Sequence, residues 1–245
     1  MRALGLAAIM ALALTGCSRG SGDANATNQA AAQAPIPQIP APNNGNWAEV
    51  ASRTPEGGTR IGNPNAPVKL IEYGSPTCPA CQAFAATGTR PLIDTYVRSG
   101  QVSWEFRPLV IHGGPDVVLS MLMECQPEAA FFGTLEQVYA QQRELLANLD
   151  EAEQRQLSAL PPDQQLQPLA RAMALDTFFA RRGMPEQRFT QCLSNAAAAQ
   201  QLAANMNRAL TEGVTGTPTF VLNGEKLEAN TWDLIEPRLR AAIGG

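Results

Sequence analysis

The stretch Ser75–Phe84, SPTCPACQAF, sets two cysteines, Cys78 and Cys81, one helical turn apart where one kind of pattern gives way to another. Before it, Val68–Tyr73 (VKLIEY) is β-branched and apolar, follows the turn-like GNPNAP, and predicts a strand. After it, helical pattern runs from Pro79 to about Arg98, with Gly88 and Pro91 expected to kink it. A helix N-terminus carries about half a positive charge and unpaired N–H groups. A thiolate at Cys78 is stabilised there and its pKa falls, while Cys81 lies one turn inside, close enough to bridge. Pro79 suits the first turn, where a missing N–H costs little. The pair alone also suits a zinc knuckle, so the rest of the chain has to decide.

Val102–Phe106 (VSWEF) alternates as a second strand. Helical pattern covers Pro115 to about Cys125 and Pro127 to about Asn148. It resumes from Gln164 to Arg182, with Leu166, Leu169, Met173 and Phe178 on the apolar face and Pro168 expected near the first turn. A short helix at Pro185–Leu193 and an Ala-rich one from Ala196 to Glu212 follow. Thr219–Leu222 predicts a third strand, Asn223-Gly224 a hairpin turn, and Lys226–Glu228 its short partner. Thr231 is expected to cap a last helix to Ala242. The order is a βαβ unit, a helical block at about 113–208, and a ββα unit. It predicts an α/β domain over 47–245, starting near Trp47.

Charge excludes one class of partner. The net charge is −4 and the Lys and Arg residues form no run, so no nucleic acid is expected to bind. The single histidine, His112, excludes a His-rich metal site and gives little support to a Ser-His-Asp triad. In PLVIHGGP it is expected to be a loop residue.

The N-terminus is an address. Met1-Arg2 is basic and Ala3–Leu14 is apolar. That run falls short of the roughly 20 residues a spanning helix needs and predicts an export signal. It ends in Leu14-Thr-Gly-Cys17, which resembles the bacterial lipoprotein box. The resemblance implies that 1–17 is a signal whose Cys17 is lipidated. Ser18 is not Asp, which favours the outer membrane; an ordinary export signal with a chance cysteine is the alternative. Residues 18–46, rich in Ala, Gln, Asn, Gly and Pro, are expected to form a disordered tether of about 30 Å root-mean-square span. Disulfides persist in an exported compartment such as the periplasm.

A second motif, Val214–Phe220 (VTGTPTF), opens the late strand. With GNPNAPVKLIEYGSPTCPAC before the helical block and GVTGTPTFVLNG after it, the chain resembles the DsbA-like branch of the thioredoxin superfamily over roughly Ile61–Gly245. The resemblance implies a thioredoxin fold with an all-helical insertion between the βαβ and ββα halves. It implies a cis Thr217-Pro218 bond facing the cysteines, with Thr217 pairing its backbone to an extended substrate peptide. A simple strand-initiating turn is the plainer reading of that dipeptide. It also implies that Glu72 lies beneath the active site and assists proton transfer. Alternation sets Glu72 on the face of Leu70 and opposite Lys69, which favours burial, although an outward-facing residue is the alternative.

The implied activity is thiol–disulfide exchange with exported proteins that carry cysteine thiols, in the direction of dithiol oxidation. Cys78 would be the attacking and leaving sulfur and Cys81 the resolving one, with no cofactor and a membrane quinone-linked thiol oxidase as recharging partner. The sequence departs from the well-known DsbA motif at Ala80, where that motif carries a histidine and hence a donor near the thiolate. A disulfide isomerase or reductase differs in redox poise and partner. Isomerases of this superfamily usually carry an N-terminal dimerisation domain that Ser18–Asn46 does not supply, so a monomer is expected. Two other readings are a metal-binding lipoprotein using Cys78, Cys81, Cys125 and Cys192, and a non-catalytic module on the same scaffold. Cys125 and Cys192 lie near helix ends in the inserted block (MECQP and TQCLS). In an oxidising compartment, and as in some DsbA-like relatives, they are expected to form a structural disulfide; two buried free thiols are the alternative.

Overall fold

The computed structural model describes residues 35–147, 149 and 151–244. The expected signal at 1–17, Cys17 and the tether as far as residue 34 lie outside the described residues. The folded unit begins at Ile36 rather than near Trp47. The Ile39 amide donates to the Ser99 carbonyl at 2.7 Å, and the Trp47 indole donates to the Ile39 carbonyl at 2.8 Å. Ile36 packs on the core. Gly100 makes this approach possible: a Cβ there would meet Trp47 Nε1 at 2.6 Å and the Ile39 carbonyl at 2.8 Å. The Pro-rich composition hid two anchoring isoleucines, so the last part of the expected tether belongs to the domain.

Six strands form one sheet: β1 (Ala51–Arg53), β2 (Thr59–Gly62), β3 (Val68–Gly74), β4 (Val102–Pro108), β5 (Thr219–Leu222) and β6 (Glu225–Lys226). Their spatial order is β1-β2-β4-β3-β5-β6. β3 and β4 run parallel with Leu70 opposite Trp104, and β5 lies antiparallel on the other edge of β3 with Ile71 opposite Val221. The β1–β2 hairpin, unforeseen in the sequence, is antiparallel to β4. Polar contacts hold it. Thr54 Oγ1 donates to Glu105 Oε1 at 2.7 Å, and the Arg53 guanidinium reaches the Glu124 and Gln126 carbonyls. Such strands carry no apolar alternation to betray them.

The chain forms a thioredoxin fold with a helical insertion. After β3, α1 (Pro79–Phe84) continues through π-helical turns at Ala85–Thr89 and Leu92–Val97, on either side of Pro91, whose missing N–H spoils regular helix. The insertion comprises α2 (Gly114–Glu124), α3 (Phe131–Ala140), α4 (Gln142–Ala147), α5 (Glu151–Ser158), α6 (Pro162–Ala172), α7 (Leu175–Ala180), α8 (Glu186–Leu193) and α9 (Ala196–Thr211). After β6, α10 (Trp232–Gly244) closes the fold. The single helix expected at Gln164–Arg182 is two. α6 starts at Pro162, which puts Pro168 in its interior rather than its first turn. Ala174, at φ 55°, then separates α6 from α7. That left-handed step costs roughly 1–2 kcal/mol, and the full burial of Met173 and Leu175 on either side offsets it.

One face of the sheet carries Leu70, Glu72, Trp104, Phe106, Phe220 and Leu222. α1 packs there through Phe84 on Phe220 at 4.6 Å between ring centroids, and α3 through Phe132 on Trp104 at 4.7 Å. Each such buried side chain contributes about 1.5–3 kcal/mol. The last residue of β3 is Gly74, where a Cβ would meet the Phe106 ring at 2.3 Å. The opposite face, with Tyr73 and Val221, packs on Ala209 of α9 and on Val214.

Candidate active site

Cys78 is the N-cap of α1 (φ −75°, ψ 122°), and Pro79 and Ala80 project into solvent. Both cysteines are free thiols; Cys78 retains 5 % exposure and Cys81 none. The Cys78 thiol is lowered to about 5. The largest cause is a hydrogen bond from the Cys81 thiol; burial opposes it, and Thr217 and the amides of Cys81 and Ala80 reinforce it. Burial pushes Cys81 the other way, far up, and the charges of Cys78 and Glu72 add to the rise. One sulfur is thus poised as an anion and the other held as a thiol, on one turn of helix.

Across from α1, the Thr217-Pro218 bond is cis and the Thr217 carbonyl accepts from Cys78 Sγ at 3.4 Å. Beside Pro218 opens a cleft of about 470 Å³. Its lining includes Thr215, Thr217, Lys226, Glu228 and Asn230. Glu72, at 1 % exposure, lies inside on β3, and its Oε2 has no hydrogen-bond partner. Burial raises its carboxyl to about 8; the Trp104 indole acts in the opposite direction and the Cys78 charge adds to the rise. At neutral pH this carboxyl is largely protonated.

Cys125 and Cys192 are joined to each other, with Cα atoms 5.8 Å apart, at the ends of α2 and α8. They are therefore not ligands of a four-cysteine set with Cys78 and Cys81. Among the described residues no three His, Cys, Asp or Glu side chains converge as a metal site.

Three residues that sequence reasoning passed over hold the cysteine loop. Asp116, fully buried on α2, accepts from the Ser75 and Thr77 hydroxyls. Tyr139 of α3 donates to the Ser75 carbonyl, and Gln142 of α4 to the carbonyls of Pro76 and Cys78. His112 does lie in a loop, with Nδ1 2.8 Å from Thr77 Oγ1. In the sequence, Asp116 follows a Gly-Gly-Pro turn and looks like an ordinary acidic residue of a first helical turn.

A sequence model of the thioredoxin family, described as "Thioredoxin", matches residues 54–240. Among solved structures, a protein-disulfide isomerase from Novosphingobium aromaticivorans is 30 % identical, with a TM-score of 0.71, over 76 % of this chain and 97 % of that one. The alpha-DsbA1 of Wolbachia pipientis shares the fold at 17 % identity and a TM-score of 0.61, over 81 % of this chain and 96 % of that one. A Rickettsia prowazekii protein, provisionally named a protein-disulfide oxidoreductase, is 24 % identical over 75 % of this chain. The chain spans 60 % of that relative's length.

Proposed function

The chain belongs to the thioredoxin family, and on that premise we propose that it is an exported, lipid-anchored thiol–disulfide oxidoreductase that oxidises dithiols. The opposed titration of Cys78 and Cys81 carries this reading: lowered to about 5 in one, driven far up in the other. A client thiolate attacks Cys78 Sγ of the Cys78–Cys81 disulfide. A client–Cys78 bond forms, and Cys81 leaves as a thiolate that takes up a proton. In this reading protonated Glu72 gives that proton; its burial as a largely protonated carboxyl, and the effect its ionised form has on Cys81, support the role. The second client thiolate then attacks the client sulfur of the mixed disulfide. The client leaves oxidised and Cys78 leaves as the stable thiolate. The thiolate's stability drives the reaction toward the reduced enzyme.

The cleft beside Pro218 suits an extended client backbone paired at Thr217. Resemblance to the DsbA-like proteins assigns recharging to a membrane quinone-linked thiol oxidase. Cys17 and the segment after it support a periplasmic, membrane-tethered monomer, with the outer membrane favoured. Incubating the oxidised protein with a reduced dithiol peptide tests the activity. Stoichiometric peptide oxidation with appearance of free Cys78 is expected, and an unchanged peptide would dispose of the proposal.

The 30 % identical structure named a disulfide isomerase supports a second reading, in which the reduced form reshuffles wrong disulfides. A client with scrambled disulfides separates the two: an isomerase restores it in its reduced form, and an oxidase does not.

A further inference from the structure

The reactive loop is held by helices outside the βαβ and ββα halves. Asp116 Oδ1 accepts from Ser75 Oγ at 2.7 Å, Thr77 Oγ1 at 2.6 Å and the Thr77 amide at 3.3 Å. Its Oδ2 accepts from the amides of Ile111 and His112, each at 2.8 Å. Two carboxylate oxygens offer about four lone-pair sites, so this buried group has its acceptor capacity filled by donors from both loops. The Thr77 hydroxyl has one proton and gives it to Asp116. The ring nitrogen of His112 at 2.8 Å therefore donates to Thr77, which fixes the Nδ1–H form of the ring in this network. Gln142 Nε2 lies 3.0 Å from the Pro76 carbonyl and 3.1 Å from that of Cys78, and Tyr139 Oη 3.2 Å from that of Ser75. Each of the four residues Ser75–Cys78 thus bonds to a side chain of the insertion.

We propose that Asp116, acting through Thr77, is a positioning residue for Cys78: it ties the reactive loop to the helical insertion and fixes where the Cys78 sulfur points. Thr77 immediately precedes Cys78. With its amide and hydroxyl both fixed to a buried carboxylate, little freedom is left to the peptide that leads into α1. The sulfur needs that constraint. Its bonds to Cys81 and to the amides of Ala80 and Cys81 come from one turn of helix, and a modest tilt of the N-cap loses them together. The significance of the device rests on the reading of Cys78 as the reacting sulfur, but its test needs no turnover.

The test is the pH profile of Cys78 alkylation by iodoacetamide in the reduced protein. Cys81 is buried and its thiol raised, so the profile belongs to Cys78. Thr77→Val keeps shape and removes the hydroxyl; its midpoint should rise from about 5 by about one unit or more, whereas Thr77→Ser should keep the original midpoint. Asp116→Asn should move the midpoint up as well. The sign decides, because a carboxylate acting only through space would, on removal, move it down. Folded Thr77→Val and Asp116→Asn proteins with unmoved or lowered midpoints overturn the proposal, even where they melt earlier. If one variant does not fold, the other carries the decision. Shifted midpoints in a protein whose wild type exchanges no disulfide leave the positioning standing and remove the oxidoreductase reading. Exchange by the wild type with unmoved midpoints does the reverse.

Discussion

Cys78 Sγ and the main-chain carbonyl of Thr217 lie 3.4 Å apart, across 139 positions of sequence. A thiol can donate to that oxygen, and a thiolate cannot. When Cys78 ionises, the carbonyl is released at the edge of the cleft beside Pro218, free to accept from a peptide N–H. Under the proposed function, the chemistry of the sulfur and the reception of a client backbone would meet at this one atom.

The Cys81 thiol is the largest cause of the lowered Cys78 value. Cys81→Ala should therefore raise the Cys78 midpoint from about 5 by about one to two units and accumulate mixed disulfides with clients. Absorbance of the thiolate across pH checks it; an unmoved midpoint would assign the effect to the helix amides alone. The folded value lies below the ordinary one of 9.0, so the reduced protein gains stability at high pH. It should lose that gain relative to Cys78→Ser progressively as the pH falls from about 9 to about 5.

Glu72 behaves in the opposite sense. Its folded value, about 8, lies above the ordinary 4.5, so the folded state binds the proton more tightly than the unfolded chain. Stability should fall as the pH rises from about 4.5 to 8. Glu72→Gln should flatten that slope and gain about 4 kcal/mol at pH 8, with little change in acid. Urea unfolding at several pH values reads it. The same variant should slow exchange at neutral pH by about a hundredfold or more, the range of a lost proton donor.

Ala80 is exposed beside the thiolate. An imidazole at that position has room and adds a donor. Ala80→His should make the Cys78–Cys81 couple more oxidising, by about 30 mV for each tenfold gain in the stability of the reduced form. Equilibration with glutathione measures it, and an opposite shift would show that the dipeptide does not tune this site.

The Cys125–Cys192 bridge spans 67 residues, for which the chain-entropy model gives about 4 kcal/mol. Replacing both cysteines by Ala should lower stability by up to that amount. Cys78, lowered to about 5, is the better leaving sulfur, so mild dithiothreitol should open Cys78–Cys81 first and this bridge only later. Peptide mapping after graded reduction follows the order.

Cys17→Ser should move the protein from the membrane fraction to the soluble periplasmic fraction without changing its exchange rate in solution. Retention in the membrane fraction would set aside the lipid anchor.

The elements carried by apolar pattern were legible. β3, β5, α1 and α9 could be placed because burial writes a period into them. The β1–β2 hairpin could not, since Thr54 and Arg53 hold it through polar bonds. Nor could the break at Ala174, where one left-handed residue interrupts an otherwise continuous amphipathic run. In the site, Cys78, Cys81 and Pro218 announce themselves by motif. Asp116 does not, because its meaning lies in which loop the fold sets against it, and nothing local in GGPDVV specifies that.

The register between β3 and β5 also dictates a timetable. Ile71 pairs with Val221, so the strand that completes the cysteine site follows β3 in the chain only after the whole helical insertion. Non-local pairing of this kind is slow to form, because the intervening loop must close before any contact rewards it. Until then Cys78 lacks its Thr217 neighbour and β3 offers an unpaired edge. A folding chain therefore passes through a period in which both cysteines are present but the surroundings of Cys78 are incomplete. The contact between Cys78 and Thr217 forms only when the β5–β6 hairpin docks on β3.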